Sequence, residues 1–157
     1  DLLQLGSPEE VYQNPQDIRV AEFIGSPKMN MLPGHCDEFG HITCAGLNLE
    51  GVLANPAPGP VSVGLRPEHL TLTDAGAAQS LSGKLTYKEN LGSGVFFHIR
   101  QEDSQSAIII RAQPLAVTPQ KPGDTLHCAP VPGKPLVFGT DGRRLDFNQV
   151  ASSGEPA

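Results

Sequence analysis

A chain of 157 residues has room for one ordinary domain, or for one small domain with an appendage. Its formal charge of −6, with 11 Lys and Arg scattered along the chain, excludes the basic excess of a nucleic-acid module and gives anionic lipid little to hold. The longest strongly apolar run, at 107–110, falls far short of the roughly 20 residues that direct membrane insertion needs, and 17 Gly with 15 Pro make turns frequent and helices short.

In chain order, Leu2, Leu3 and Leu5 read as a short strand. Ser7-Pro8-Glu9-Glu10 then supplies an N-cap serine, a proline at the first helical position and a glutamate placed to close a capping box. Asn14 is the expected cap of a second helix, with Ile18, Ala21 and either Phe23 or Ile24 pointing inward. Gly25-Ser26-Pro27 ends it, because glycine accepts the left-handed cap and proline cannot continue a helix.

From Met29 onward the apolar period changes to two. Ile42 with Cys44, Leu47 with Leu49, then Val61, Val63 and Leu65 each share a face. Leu70 with Leu72, Leu85 with Tyr87, and Val95, Phe97 and Ile99 continue the series, as do Leu126 with Cys128 and Leu136 with Phe138. The continuous run 107–110 predicts burial on both faces, or a covered strand. Asp141-Gly142 predicts a type I′ hairpin. Short strands at this spacing, without helices between them, predict a mainly β protein: an OB-like barrel or sandwich preceded by a two-helix leader. Residues 148–157 lose all periodicity and are expected to be a disordered tail.

Cys36, Cys44 and Cys128 are odd in number, which suits reduced thiols better than a disulfide framework. Two His and two Cys fall within residues 35–44, yet their spacing is not that of structural zinc sites, and a hairpin turning at Glu38-Phe39-Gly40 accounts for them. No phosphate-binding loop is present. Leu91-Gly92-Ser93-Gly94 lacks the lysine and runs into a strand, so it reads as a hairpin loop. Arg66-Pro67-Glu68-His69 holds residue types used in proton transfer. No nucleophile or metal motif accompanies them, and the proline ends the preceding strand, so this stretch reads as a structural corner in which Arg66 and Glu68 can pair and Glu68 can orient His69. An enzyme built on these residues is the competing reading. No catalytic, cofactor-binding or metal residue is assigned.

Three stretches together resemble a known family. They are Gln4-x-Gly6-Ser7-Pro8-Glu9-Glu10-Val11-Tyr12 with Pro15, Val20-Ala21-x-Phe23-Ile24-Gly25-Ser26-Pro27-Lys28-Met29-Asn30, and Gly64-Leu65-Arg66-Pro67-Glu68-His69. They are similar to the C-terminal third of bacterial ABC importer ATP-binding subunits, in the carbohydrate and glycerol-3-phosphate branch. Glu89-Asn90-Leu91-Gly92 and Phe138-Gly139-Thr140-Asp141-Gly142-Arg143-Arg144-Leu145 fit the same pattern, the latter without the common His-Leu before the Phe.

The resemblance implies that residues 1–25 are the tail of a nucleotide-binding domain and 26–147 a transport-associated OB-type (TOBE) regulatory domain. Gly25, Ser26, Pro27, Lys28, Met29 and Asn30 would form the junction between moving and fixed parts, and Glu89, Asn90, Leu91 and Gly92 an interface or regulatory loop. It further implies a homodimer that works with membrane-spanning importer subunits on the cytoplasmic face of the inner membrane. ATP and Mg would be bound by the full-length parent and not by this stretch, which starts at Asp1 as a fragment would and carries none of the family's catalytic motifs. A small-molecule or oxyanion sensor of the molybdate-importer type is the alternative within the same resemblance.

Overall fold

The computed structural model describes residues 6–25, 27–92, 94–102, 106–112 and 120–148; the expected strand at 2–5 and all of the expected tail beyond Asn148 lie outside them. Two six-residue helices come first, α1 (Pro8–Gln13) and α2 (Ile18–Phe23). The capping box forms as read: Ser7 Oγ accepts from the Glu10 N–H, and the Glu10 carboxylate accepts from the Ser7 N–H. The second cap differs. Asp17, not Asn14, caps α2 by accepting from the Arg19 N–H at 2.8 Å, while Asn14 closes the C-terminus of α1. Pro15 explains the change: it favours an extended conformation at Asn14 and delays the helix until a later residue with a short acceptor side chain. Of the expected inward residues Ala21 is fully buried, whereas Phe23 is 82% exposed.

Among the described residues eleven strands follow: β1 (Asn30–Cys36), β2 (Ile42–Cys44), β3 (Leu47–Asn48), β4 (Gly59–Leu65), β5 (Leu70–Thr73), β6 (Leu81–Asn90), β7 (Val95–Arg100), β8 (Ala107–Ala112), β9 (Thr125–Pro130), β10 (Leu136–Phe138) and β11 (Arg144–Leu145). They make two antiparallel sheets, ordered β11-β10-β4-β1-β2-β3 and β5-β9-β6-β7-β8. The edges β5 and β8 of the second sheet lie against each other, which curls it toward a five-stranded OB-type barrel. One apolar core joins both sheets through Leu32, Val63, Leu65, Phe97, Ile99, Ile108, Ile110 and Val137. Each of these large side chains contributes roughly 1.5–3 kcal/mol by leaving water. Gly34 fits in β1 because a Cβ there would meet the Thr43 carbonyl oxygen and a Val63 methyl, both at 2.9 Å.

Three local expectations change. A register shift in β6 between Leu85 and Tyr87 turns Tyr87 to half-exposed while Leu85 stays buried. In β8 the run 107–110 alternates instead of burying both faces: Ile108 and Ile110 are buried, Ile109 is half-buried and Ala107 exposed. The β10–β11 loop is not type I′, since Gly142 has positive φ (86°) and Asp141 does not. Gly142 N–H donates to the Gly139 carbonyl and Gly139 N–H to the Arg143 carbonyl, both at 2.9 Å, so the loop is a turn followed by a left-handed glycine.

The 35–44 stretch forms the expected hairpin, with Cys36 opposite Ile42 and Gly34 opposite Cys44. Cys36 and Cys44 enter the core, while His35 and His41 stay in solvent, so the four groups face apart. Burial pushes the Cys44 thiol up to about 11 and the Cys128 thiol up to about 12. The thiolate is the reactive species, and the side chains of all three cysteines are buried away from reagent, so all three should resist an aromatic disulfide reagent at pH 8 and react fully in urea. Rapid reaction of even one thiol in the folded chain would show the core to be more open than described.

Candidate functional site

The two buried polar side chains among the described core residues are Asn30 and Arg66. They are near neighbours across the β1–β4 ladder, where Asn30 pairs with Leu65. Pro67 ends β4 and begins a single 3₁₀ turn, Pro67–His69, which drops the Arg66 side chain toward the helices. Its guanidinium donates to the Ile24 carbonyl (Nη1, 3.0 Å) and the Tyr12 carbonyl (Nη2, 2.8 Å). Its Cζ also lies 3.8 Å from the centroid of the Tyr12 ring, a cation–π contact. The Tyr12 hydroxyl in turn donates to Glu68 Oε2.

The expected Arg66–Glu68 pairing is therefore replaced. The turn breaks the extended geometry that would have aligned them, and both residues reach back to Tyr12 instead. Glu68 does not orient His69 by a hydrogen bond. His69 Nδ1 is buried without a partner, and the His69 backbone is held by its N–H to the Arg66 carbonyl and by the Val131 N–H to its own carbonyl, both at 2.9 Å.

Asn30 staples the two sheets. Its Nδ2 donates to the Leu65 and Ile109 carbonyls, each at 2.9 Å, and its Oδ1 accepts from the Ile109 N–H at 2.8 Å. A side-chain amide thus takes the place of a neighbouring strand's peptide group along β8, which removes an edge that would otherwise invite foreign strands. In the rest of the junction, Gly25 has φ 112°, strained for any other residue, and a Cβ there would crowd Arg66 Nη1 at 3.1 Å. Pro27 is half-buried, Lys28 exposed and Met29 buried, while Ser26 lies outside the described residues.

Glu89 and Asn90 end β6, and Leu91 and Gly92 begin its hairpin with β7. Glu89 Oε1 lies 2.8 Å from His98 Nε2, and the Tyr87 ring stacks on His98 with centroids 4.1 Å apart. Asn90 Oδ1 accepts from the Gly92 N–H, and the Leu91 N–H donates to the Gly94 carbonyl. Leu91 itself is 39% exposed. This second cluster shares no residue with the corner. Among the described residues no group of three His, Cys, Asp or Glu is placed to hold a metal.

Every named donor of Arg66 goes to backbone, and Glu68 is engaged by a phenol. Sequence reading missed Tyr12 and Arg144 as members of this region. Tyr12 lies 56 residues from Glu68, and Arg144 Nη1 donates at 2.6 Å to Asn14 Oδ1, 130 residues away. Neither separation leaves a local pattern.

Two titrations report on the corner. Burial, then the hydrogen bond to Glu68 and its charge, push the Tyr12 phenol up to about 12 from 10.0. Between those values the unfolded chain has lost a proton that the folded chain keeps, so stability falls as pH rises. Burial pushes the His69 imidazole below its ordinary 6.5, with Lys134 and Arg66 adding repulsion and Glu68 opposing. There the unfolded chain binds the proton first, so stability falls as pH drops below 6.5. Urea midpoints across pH should show Tyr12→Phe flattening the alkaline limb and His69→Gln the acid limb. Unchanged limbs in both variants would contradict the burial of these groups.

Residues 25–70 match the MalK OB fold domain and residues 63–138 match the TOBE domain. The sn-glycerol-3-phosphate import ATP-binding protein UgpC of Bordetella pertussis is 36% identical over 150 residues, covering 91% of this chain and 40% of that protein. UgpC of Ruegeria pomeroyi is 39% identical over 108 residues, covering 68% of this chain and 29% of its own length. The trehalose import ATP-binding protein SugC of Mycobacterium tuberculosis is 38% identical over 112 residues, covering 63% of this chain and 28% of its own length. The chain thus spans less than half the length of these relatives. Among solved structures, the cytoplasmic molybdate-binding protein ModG aligns with a TM-score of 0.52 over 69% of this chain and 94% of that chain, at 14% identity, which shows a shared fold and nothing more. With the two domain matches together spanning residues 25–138, the chain belongs to the MalK-type OB/TOBE domain family and corresponds to the C-terminal part of import ATP-binding proteins of the UgpC and SugC kind.

Proposed function

We propose that this chain is the regulatory and dimerisation part of the ATP-binding subunit of an importer for sugars or related solutes. The tandem OB and TOBE matches over 25–138, in a chain whose relatives are named import ATP-binding proteins, carry this reading. Residues 1–25 continue in sequence from a nucleotide-binding domain and residues 26–147 form the regulatory domain. The parent polypeptide binds ATP and Mg upstream and hydrolyses ATP beneath membrane-spanning importer subunits, on the cytoplasmic face of the inner membrane. Among the described residues no helix is long and apolar enough to cross a membrane.

In this role the β-body holds a second copy of itself. Tethering two ATPase halves raises their effective concentration, so they can part and re-engage without diffusing away. The 66–69 stretch serves as a structural corner, and the Glu89–Gly92 hairpin is offered to the second copy or to a regulator. The whole polypeptide that carries this chain should hydrolyse ATP in the presence of Mg, while residues 1–157 alone give no calorimetric response to ATP with Mg or to molybdate. Saturable binding of ATP by the 157-residue chain, or an inert whole polypeptide, would remove the importer reading; a molybdate response would favour the sensor alternative.

A further inference from the structure

We infer that the α1–α2 leader and the β-body form one rigid unit, strapped together through space by Arg66 and Arg144, so that residues 25–30 are not a pivot. Arg66 ties the Tyr12 and Ile24 carbonyls to the end of β4. Arg144, in the last strand, forms a second strap: its backbone N–H donates to the Gln16 carbonyl at 2.9 Å, and its Nη1 to Asn14 Oδ1 and to the Pro15 carbonyl. The Ile18 N–H donates to the Gly142 carbonyl at 2.7 Å, beside an isolated bridge between Asp17 and Arg143. Beneath these straps Ala21 packs with Met29 and Phe138 in a small buried cluster of its own.

These contacts matter because the helices cannot stand alone. Each has six residues, where an isolated helix needs about 12–15 to be even marginal, and α1 buries no residue. Their order comes from the straps. A hinge, by contrast, needs a stretch that few contacts cross, so that a few backbone angles absorb the motion. The 25–30 segment is clamped on both sides, at the preceding Ile24 carbonyl by Arg66 and at Asn30 against Leu65 and Ile109. The inference deepens the function proposed above, and rests on it, only in what it says of coupling: displacement of an upstream ATPase part reaches the β-body through the leader instead of being absorbed at the junction.

The test uses this chain. Nitroxide labels at Glu22→Cys and Ser82→Cys occupy two exposed positions, one on the leader and one on the body, while the native cysteines are buried. With the doubly labelled chain diluted into excess unlabelled chain, so that each pair of spins lies within one copy, pulsed electron-spin distances should give one narrow peak. Inserting two glycines between Pro27 and Lys28 should leave that peak in place, because the tie does not run through the peptide. Arg144→Ala, alone or with Arg66→Lys, should abolish the single peak. In the unlabelled chain the Ile18 and Ala21 amides should exchange within about tenfold of Val63, about 1.4 kcal/mol in opening free energy. The inference is overturned if those amides exchange as in an unstructured chain, if the insertion broadens the peak as much as the arginine change, or if Arg144→Ala leaves the peak intact. None of these outcomes bears on whether the whole polypeptide is an importer ATPase.

Discussion

Replacing Asn30 with leucine should destabilise the chain by about 2–4 kcal/mol, among the larger costs expected of a single substitution. Leucine keeps the branched shape and heavy-atom count of asparagine but is bulkier, so no cavity opens and the loss is chiefly polar, with some crowding added. Three buried or part-buried backbone groups lose their partner at once: the Leu65 carbonyl and both the N–H and the carbonyl of Ile109. Each unsatisfied group costs about 1–3 kcal/mol in isolation, and local relaxation with water entry at the β8 edge returns part of that. Asn30→Asp is the sharper control. It keeps an acceptor for the Ile109 N–H but turns two donations into carboxylate–carbonyl repulsion, so it should be at least as harmful at pH 7 and less so in acid. Urea unfolding measures both. A loss below about 0.5 kcal/mol, the range of ordinary surface changes, would mean that the staple between the sheets contributes nothing.

Arg66→Met should cost about 2–3 kcal/mol and should loosen the leader before the body. Two opposing effects set the figure. Methionine abolishes two charge-assisted hydrogen bonds, worth about 1.5–3 kcal/mol each, together with the stacking on Tyr12. It also relieves the desolvation of a charge on a residue that is only 3% exposed, a cost of up to several kcal/mol for a buried ion. The bonds prevail because losing Arg66 strips a charge-assisted donor from each of two carbonyls, and a buried charge satisfied at two donors has already recovered much of its solvation. Arg66→Lys should recover only part of the loss, since an ammonium cannot reach two carbonyls in a plane or lie flat on a ring. Hydrogen exchange at Ile18 and Ala21 should accelerate more than at Val63 in both variants. Uniform acceleration across the chain would mean that Arg66 supports the body directly and the leader only in passing.

How much of this could be read beforehand follows from which signals are local. The capping box at Ser7, the hairpin at 38–40 and the alternation of Val61, Val63 and Leu65 depend on residues within a few positions of one another, and they appear as expected. The cap of α2, the outward turn of Tyr87 and the β10–β11 loop depend on a following proline, a one-residue register shift and one backbone angle, all invisible to periodicity. The corner was legible as a bend because proline removes a backbone donor. Its partners were not, because Tyr12, Ile24 and Glu68 meet only after the sheet forms. Asn30 offered less still: an asparagine in a junction reads as a turn residue, and only the approach of β8 makes it a buried staple.

The functional reading came from the motif string and not from any cluster of reactive groups, and the geometry is consistent with that order. Arg66 is spent on backbone carbonyls and Glu68 on the Tyr12 hydroxyl, and the second polar cluster, at Glu89, His98 and Tyr87, sits on one hairpin. In the role proposed above, a body of this kind would act by what it holds: the leader on one side and a second copy on the other.

Sedimentation equilibrium of the chain, from low to high micromolar concentration, tests the holding role most directly. The expected result is a reversible rise in mass from 16.6 kDa to twice that value as concentration increases. A single 16.6 kDa species throughout would contradict it.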